Sequence, residues 1–180
     1  RQTSSVKAVI NVTSDKCYEN KGWVWGYREN DELGGHDPYS VSKTCSELIT
    51  NSYRASFFNL NEYKKSHNIL LASARAGNVI GGGDWAVDRL IPDIMRAVSK
   101  NETVIIRSPR STRPWQHVLE SLSGYLMLGQ KLFEGEKEFA DAWNFGPDDK
   151  GNIAVEIVLR SVALEWDKIK YEMQKKKNFP

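Results

Sequence analysis

The stretch Val6-Lys7-Ala8-Val9-Ile10-Asn11-Val12-Thr13-Ser14-Asp15-Lys16 decides the fold. Its first seven residues are mostly apolar and β-branched, which predicts a strand, and Thr13-Ser14-Asp15 ends it with side chains that favour loops and caps. Ligands of open parallel sheets bind just beyond the carboxyl ends of strands. A hydroxyl, a carboxylate and an amine therefore sit where an α/β fold keeps its chemistry. Read alone, the same residues are also an ordinary turn or helix cap.

Further along, Tyr39-Ser40-Val41-Ser42-Lys43 places a phenol and an ammonium four positions apart. On a helix they project from one face, one turn apart. A free tyrosine titrates near ~10 and is a poor base at neutral pH, but an adjacent cation favours its phenolate. Lys43 is that neighbour. An i,i+4 Tyr/Lys pair is also a common amphipathic contact; what favours catalysis is its company with Ser14, Asp15 and Lys16.

The segments around these clusters extend the α/β pattern. Residues 17–38, with Trp23, Trp25 and four glycines, read as a long irregular loop that covers the site or is anchored by its tryptophans. A helix is expected from Ser40 to about Phe58, with Pro38 setting the turn, Ser40 as cap, and Val41, Cys45, Leu48, Ile49 and Tyr53 on one face. Ile69–Arg75 is a continuous apolar run suited to a strand buried on both faces. After Gly81-Gly82-Gly83, Asp84 or Asp88 is placed to cap a helix carrying Leu90, Ile91, Ile94, Met95 and Val98.

The later chain reads similarly. Thr103–Ile106 is a short strand, followed by a basic turn with Arg107, Arg110 and Arg113, whose guanidinium forks suit a diphosphate or simply solvent. Val118–Phe133 is expected as a helix with Val118, Leu122, Tyr125, Leu126, Leu132 and Phe133 inward, and His117 as a locally bonded structural residue. Ala142-Trp143-Asn144-Phe145-Gly146-Pro147 is a short strand ending in a turn, Val155, Val158, Leu159, Val162 and Trp166 share one face of a last helix, and Lys175-Lys176-Lys177 is a solvated tail. The periodicities show no second domain with its own core.

Composition excludes several classes. The chain has 180 residues, 40% hydrophobic, and a formal charge of +2 from 25 basic and 23 acidic residues, which gives no reason to expect nucleic acid or a membrane surface. Cys17 and Cys45 have no framework spacing and the three histidines are scattered, so neither a disulfide scaffold nor a metal site is indicated. A cytoplasmic setting is expected. No apolar run approaches the ~20 residues that cross a bilayer.

With Thr-Ser-Asp-Lys after a strand, Tyr39-x-x-x-Lys43, the stretch Ala74-Arg75-Ala76-Gly77-Asn78-Val79-Ile80-Gly81-Gly82-Gly83-Asp84-Trp85, and Arg113-Pro114-Trp115-Gln116-His117-Val118, the sequence resembles the extended short-chain dehydrogenase/reductases that act on nucleotide sugars. The similarity runs from about Val6 to about Leu164, and within the family it points to the CDP-glucose 4,6-dehydratase branch, because Lys16 stands where the dTDP-glucose branch has glutamate. The resemblance implies a partial Rossmann-like parallel sheet, the second half of an NAD-binding domain, mainly in residues 1–80, plus a small α/β nucleotide-sugar-binding region mainly in 81–180. The turn Gly-x-x-Gly-x-x-Gly, which lays a dinucleotide pyrophosphate on a helix N-terminus, does not occur here. A single fragment lacking the first half of the cofactor domain is therefore expected.

The resemblance also implies residue roles. NAD is the cofactor and CDP-glucose the substrate, converted to CDP-4-keto-6-deoxyglucose for deoxysugar and O-antigen biosynthesis. Tyr39 takes the C4 hydroxyl proton, Lys43 assists it and binds the nicotinamide ribose, Ser14 holds the hydroxyl, Asp15 protonates the leaving C6 hydroxyl, and Lys16 acts as the C5 base. Asn78, Arg89, Arg113 and Asn144 approach the nucleotide sugar. A homodimer, paired through helices that include the Tyr-x-x-x-Lys helix, is implied as well. The alternatives are another epimerase or dehydratase of the superfamily, sharing Ser14, Tyr39 and Lys43, and an inactive module that binds or oligomerises.

Overall fold

The computed structural model describes residues 3–174, so Lys175-Lys176-Lys177 lies outside the described residues. In chain order the elements are β1 (Ala8–Val12), α1 (Pro38–Ser56), β2 (Leu70–Ala76), β3 (Val79–Ile80), α2 (Leu90–Lys100), β4 (Thr103–Ile106), β5 (Thr112–Pro114), β6 (Gln116–His117), α3 (Val118–Glu134), β7 (Ala142–Phe145), β8 (Asn152–Ala154), α4 (Val155–Glu165) and β9 (Lys170–Met173). The mixture is α/β with parallel pairing, as expected. Two compact units form, one comprising the chain up to Gly77 with Val118–Gly146, the other Asn78–His117 with the chain from Pro147. The expected boundary near residue 80 is thus crossed back: α3 and β7 return to the first unit because β7 pairs with β2.

The first unit is a three-stranded parallel sheet in the order β1-β2-β7. Val12 lies opposite Ala74, and Arg75 opposite Asn144. Every residue of β2 is buried, which is what a central parallel strand covered on both faces requires. Successive strand residues point to opposite faces. Asn11 bonds Ser46 and Thr50 of α1, while the neighbouring Ile10 meets Gly129 of α3. The two helices therefore flank the sheet, and Leu70, Ala72 and Ala74 pack with Leu128, Leu132 and Ala140 in its core.

Helix α1 turns a different face inward from the one its apolar spacing predicts, and α3 does so in part: Leu132 is buried and Tyr125 packs on the core as expected. On α1 the buried residues are Ser40, Glu47 and Thr50, while Val41, Leu48, Ile49, Tyr53 and Phe57 are exposed. On α3 the buried residues are Ser121, Leu128 and Leu132, and Leu122, Leu126 and Phe133 are exposed. The reason on α3 is close approach: a side chain at Gly124 would run into the Phe145 ring. Small residues there bring the helix axis nearer the sheet than a leucine stripe would allow.

The second unit has its own core, contrary to the expectation of none. Ile94 and Ala97 of α2, Val104 and Ile106 of β4, Leu159 of α4 and Ile169 pack together. β4 pairs in parallel with β9, β3 with β6, and β5 antiparallel with β8. Neither Asp84 nor Asp88 caps α2. Asp88 adopts left-handed backbone (φ 62°), which leaves Arg89 at the N-cap without a side-chain hydrogen bond.

Candidate active site

The chain leaving β1 turns at once into a short 3-10 turn, Asp15–Cys17. Ser14 caps it: its Oγ accepts from the Lys16 N–H at 3.3 Å and donates to Asp15 Oδ1 at 3.1 Å. Ser14 is buried, Asp15 half-buried and Lys16 exposed. The enclosure that a lysine base requires is not formed by this unit's residues around Lys16.

Helix α1 begins at Pro38, and the cap is Asp37 rather than Ser40. Its Oδ1 accepts from the Tyr39 and Ser40 N–H groups, both at 3.0 Å, and the Ser40 hydroxyl donates to Oδ2 at 2.6 Å. The Ser40 hydroxyl and amide hold the Asp37 carboxyl below its usual range, with the Tyr39 amide and the charge of Lys16 adding to them, against the opposing effect of burial. This fixes the first turn. Tyr39 stands on it 55% exposed, with Lys43 Nζ 5.7 Å from the centroid of its ring. An exposed phenol with a cation alongside is what an incoming hydroxyl can reach.

Two contacts bring the β1 corner and α1 together. The Thr44 hydroxyl lies 3.0 Å from the Cys17 carbonyl and 2.9 Å from that of Gly34, and the Thr13 hydroxyl donates to Glu47 Oε1. Ser14, Asp15 and Lys16 are thus held against the helix that carries Tyr39 and Lys43. A phenol and a cation on the first turn of α1, and a hydroxyl and a carboxylate on the β1 turn held against that helix, are thus carried at the carboxyl end of a parallel sheet.

Beneath this corner lies a buried charged network that the sequence reading did not contain. Arg75 Nη2 pairs with Glu47 Oε2 at 2.8 Å, and Arg75 Nη1 donates to the Tyr18 hydroxyl at 2.7 Å and the Glu29 carbonyl at 2.8 Å. Ser73 donates to Glu47 Oε2 at 2.7 Å. Burial alone would raise the Glu47 pKa, but the bonds from Arg75, Thr13 and Ser73 outweigh it and the carboxyl is held low. Burial likewise opposes the charge on Arg75, and Glu47 and Tyr18 more than restore it. Nearby, burial pushes the Cys17 thiol up to about 12, with Glu47 and Asp15 adding to the rise against Arg75.

The four residues expected at the nucleotide sugar are placed as follows. Asn144 lies in the first unit, where its Oδ1 accepts from Tyr18 at 2.7 Å and its Nδ2 donates to the Tyr27 carbonyl at 3.0 Å. Its amide is engaged in holding the 17–38 loop. Asn78, Arg89 and Arg113 lie in the second unit. Asn78 follows β2 and its carbonyl accepts from the Gln116 N–H at 3.0 Å. Arg89 pairs with Asp84 at 2.8 Å on the surface, and Arg113 on β5 donates to the Thr112 carbonyl at 2.8 Å. Arg107 pairs with Asp88 at 2.6 Å.

Trp23 and Trp25 form part of an aromatic stack within the loop. Trp23 lies 5.1 Å from Trp25 and 5.3 Å from Tyr27, which stacks on Tyr18 at 5.1 Å. In the second unit a cleft of about 600 Å³ is lined by Gly81–Trp85, Met95, Val98 and Trp166, and by neither Asn78, Arg89 nor Arg113. Among the described residues no cluster of side chains is suited to a metal ion, and no helix is long and apolar enough to cross a membrane.

Comparison with known proteins gives these features a family context. Residues 1–146 match the model of the NAD dependent epimerase/dehydratase family. The CDP-glucose 4,6-dehydratase of Salmonella typhimurium (strain LT2) is 55% identical over 166 residues, which is 92% of this chain and 46% of that protein. The chain therefore spans somewhat less than half the length of this curated relative. Among solved structures, UDP-glucuronic acid 4-epimerase from Bacillus cereus, in complex with UDP-glucuronic acid and NAD, superposes with a TM-score of 0.74 at 15% identity, covering 94% of this chain and 49% of that one. dTDP-glucose 4,6-dehydratase from Bacillus anthracis, in complex with NAD, gives 0.66 at 20% identity, covering 93% and 50%. At these identities the structures share the fold.

Proposed function

The chain belongs to the NAD dependent epimerase/dehydratase family, and we propose that its site serves the dehydration of CDP-glucose to CDP-4-keto-6-deoxyglucose. What carries the reading is the pairing of two things at one corner: Tyr39 with Lys43 on the first turn of α1, and the Ser14-Asp15-Lys16 turn held against that helix. The 55% identity to a CDP-glucose 4,6-dehydratase supports the choice of nucleotide and sugar.

NAD is the group this chemistry needs, and the chain's residues fit one end of it. Lys43, half-buried and 5.7 Å from the ring centroid of the exposed Tyr39, would hold a ribose hydroxyl of NAD. When bound, NAD supplies a reversible two-electron acceptor within one turnover.

The steps assigned to the protein follow from its groups. Tyr39 takes the proton of the C4 hydroxyl, aided by the Lys43 cation. The Ser14 hydroxyl, already shared with Asp15, orients that hydroxyl. Once C4 is a ketone the C5 proton is acidic; Lys16, enclosed by substrate, removes it while Asp15 protonates the departing C6 hydroxyl. Asn78, Arg89 and Arg113 supply an amide and two guanidinium groups for the nucleotide diphosphate, the two arginines after giving up or sharing their present partners Asp84 and the Thr112 carbonyl. Asn144 is a weaker participant, because its amide already bonds Tyr18 and Tyr27.

The exposed stripe Val41, Leu48, Ile49, Tyr53 and Phe57 on α1 supports pairing of two copies through this helix. A cytoplasmic setting and a role in supplying deoxysugars for surface polysaccharide accord with a nucleotide-sugar substrate. The test is incubation with NAD and either CDP-glucose or UDP-glucose, followed by analysis of the sugar. A 6-deoxy-4-keto product from CDP-glucose is expected. A product that keeps its C6 hydroxyl and is inverted at C4 would replace dehydration with epimerisation.

A further inference from the structure

We propose that Thr13 and Glu47 form a positioning clamp, which sets the Ser14-Asp15 corner in register with the Tyr39-Lys43 turn; this rests on the function proposed above. Thr13 is the last residue before the capped 3-10 turn, and its backbone N–H is already tied to the Ala74 carbonyl at 2.8 Å. Its hydroxyl donates to Glu47 Oε1 in a buried contact. Glu47 lies one turn beyond Lys43, so the carboxylate that receives Thr13 is on the same rigid helix as the phenol and the cation.

The other carboxylate oxygen of Glu47 cannot swing away. It is held by Arg75 at 2.8 Å and Ser73 at 2.7 Å, both on the central strand β2. Arg75 is itself fixed by Tyr18, immediately after the 3-10 turn, at 2.7 Å. The turn bearing Ser14 and Asp15 is thus gripped at both ends, by Thr13 entering it and Tyr18 leaving it, and both grips end on the Glu47–Arg75 pair. Thr13, Glu47 and Arg75 are buried, and the polar groups of the clamp are engaged with one another, with Ser73 and with Tyr18. Their action is on the geometry of the groups proposed to meet the sugar, where a displacement of about 1 Å costs roughly 10²-fold in rate.

The test compares Thr13→Val, which removes only the hydroxyl, with Thr13→Ser, which keeps it. Hydrogen–deuterium exchange is read at the Lys16, Cys17 and Tyr18 amides, whose acceptors are Ser14 Oγ and the carbonyls of Ser14 and Asp15. Thr13→Val should exchange about fivefold faster there with only a small fall in thermal midpoint, and Thr13→Ser should match the parent in both. Equal protection in Thr13→Val, or loss of protection in Thr13→Ser as well, overturns the clamp. If Thr13→Val fails to fold, Thr13→Ala gives the same reading, because it also removes the hydroxyl while adding no bulk beside Glu47 Oε1 and the Ala74 carbonyl.

Turnover gives the second readout. With CDP-glucose as probe, Thr13→Val should lower kcat between roughly tenfold and 10²-fold and leave KM unchanged. An unchanged kcat overturns the proposal. A parent protein that does not turn over CDP-glucose overturns the functional reading instead, and the exchange experiment still decides the clamp.

Discussion

Glu47 and Arg75 form an ion pair with side chains only 3% and 4% exposed, joining helix α1 to the central strand at 2.8 Å. A pair this deep is weak as a source of net stability, because desolvating two charges offsets most of their attraction, but breaking it leaves an uncompensated buried charge. Glu47→Leu is therefore expected to destabilise the fold by about 3–5 kcal/mol. Glu47→Leu combined with Arg75→Met should recover most of that loss. Chemical denaturation of the single and double variants measures both, and a double variant no better than the single one would show that the pair is not the unit.

The same carboxylate sets an acid limit. Glu47 is held below the usual carboxylate range in the folded chain, so its contribution is present above the unfolded value of about 4.3 and is lost as pH falls through the lower folded value. Stability should fall progressively below about pH 4.3, and Glu47→Gln should flatten that fall. Urea midpoints measured from pH 6 down to pH 3 would show the difference as converging curves.

The two cysteines are expected to behave oppositely. Cys45 is exposed on α1, whereas Cys17 is fully buried with its thiol pushed up to about 12. The thiolate is the reactive form. At pH 8 a disulfide reagent should therefore label Cys45 alone in the folded protein, and both thiols after denaturation. The raised Cys17 value also gives stability that is present below the unfolded thiol value of about 8.5 and is lost as pH rises towards about 12.

Gly124 tests the packing of α3. Alanine favours a helix over glycine by about 1 kcal/mol, yet a Cβ at this position would enter the space of the Phe145 ring on β7. Gly124→Ala is expected to destabilise by about 1–3 kcal/mol, and Phe145→Leu in the same chain should recover part of it. A stabilised Gly124→Ala would mean that the helix can move outward at no cost.

The sheet and its site-bearing ends were legible in the sequence because β1, β2 and β7 are compact apolar runs ended by Thr13, Gly77 and Gly146, and Tyr39 and Lys43 share a face at any helical register. The face of α1 was not. Apolar spacing points Val41, Leu48, Ile49 and Tyr53 inward, but β1 and β2 present Asn11, Ser73 and Arg75 towards α1, and only a polar face can answer them. The N-cap was missed although its signal is present: a proline at the first helical position makes the residue before it, Asp37, the cap. Interleaving of the two units has no local signal, since it depends on β7 choosing β2 as its partner some 70 residues away; Ala142 faces Ser73 (142 minus 73 is 69). Asn78 and Arg113 are proposed from motifs and Arg89 from its place beside the glycine turn; the partners the two arginines now hold are settled by turns whose backbone geometry, such as the left-handed Asp88, is not written in residue type alone.

Tyr39 and Lys43 separate chemistry from folding most cleanly. Tyr39 is 55% exposed and its ring meets Lys43 across one turn at 5.7 Å, so neither side chain fills the core. Tyr39→Phe should leave the unfolding free energy within about 0.5 kcal/mol of the parent. Removing the phenol removes the proposed proton acceptor, for which a loss of roughly 10²- to 10⁴-fold in turnover of CDP-glucose is expected. Lys43→Met should lower turnover as well and also weaken NAD binding, because the ammonium serves both the phenol and the ribose in the proposed site. A Tyr39→Phe protein with parent-like turnover would move the proton transfer to another group at this corner, with Asp15 the first to examine, and would leave the Tyr-x-x-x-Lys turn as an ordinary amphipathic contact.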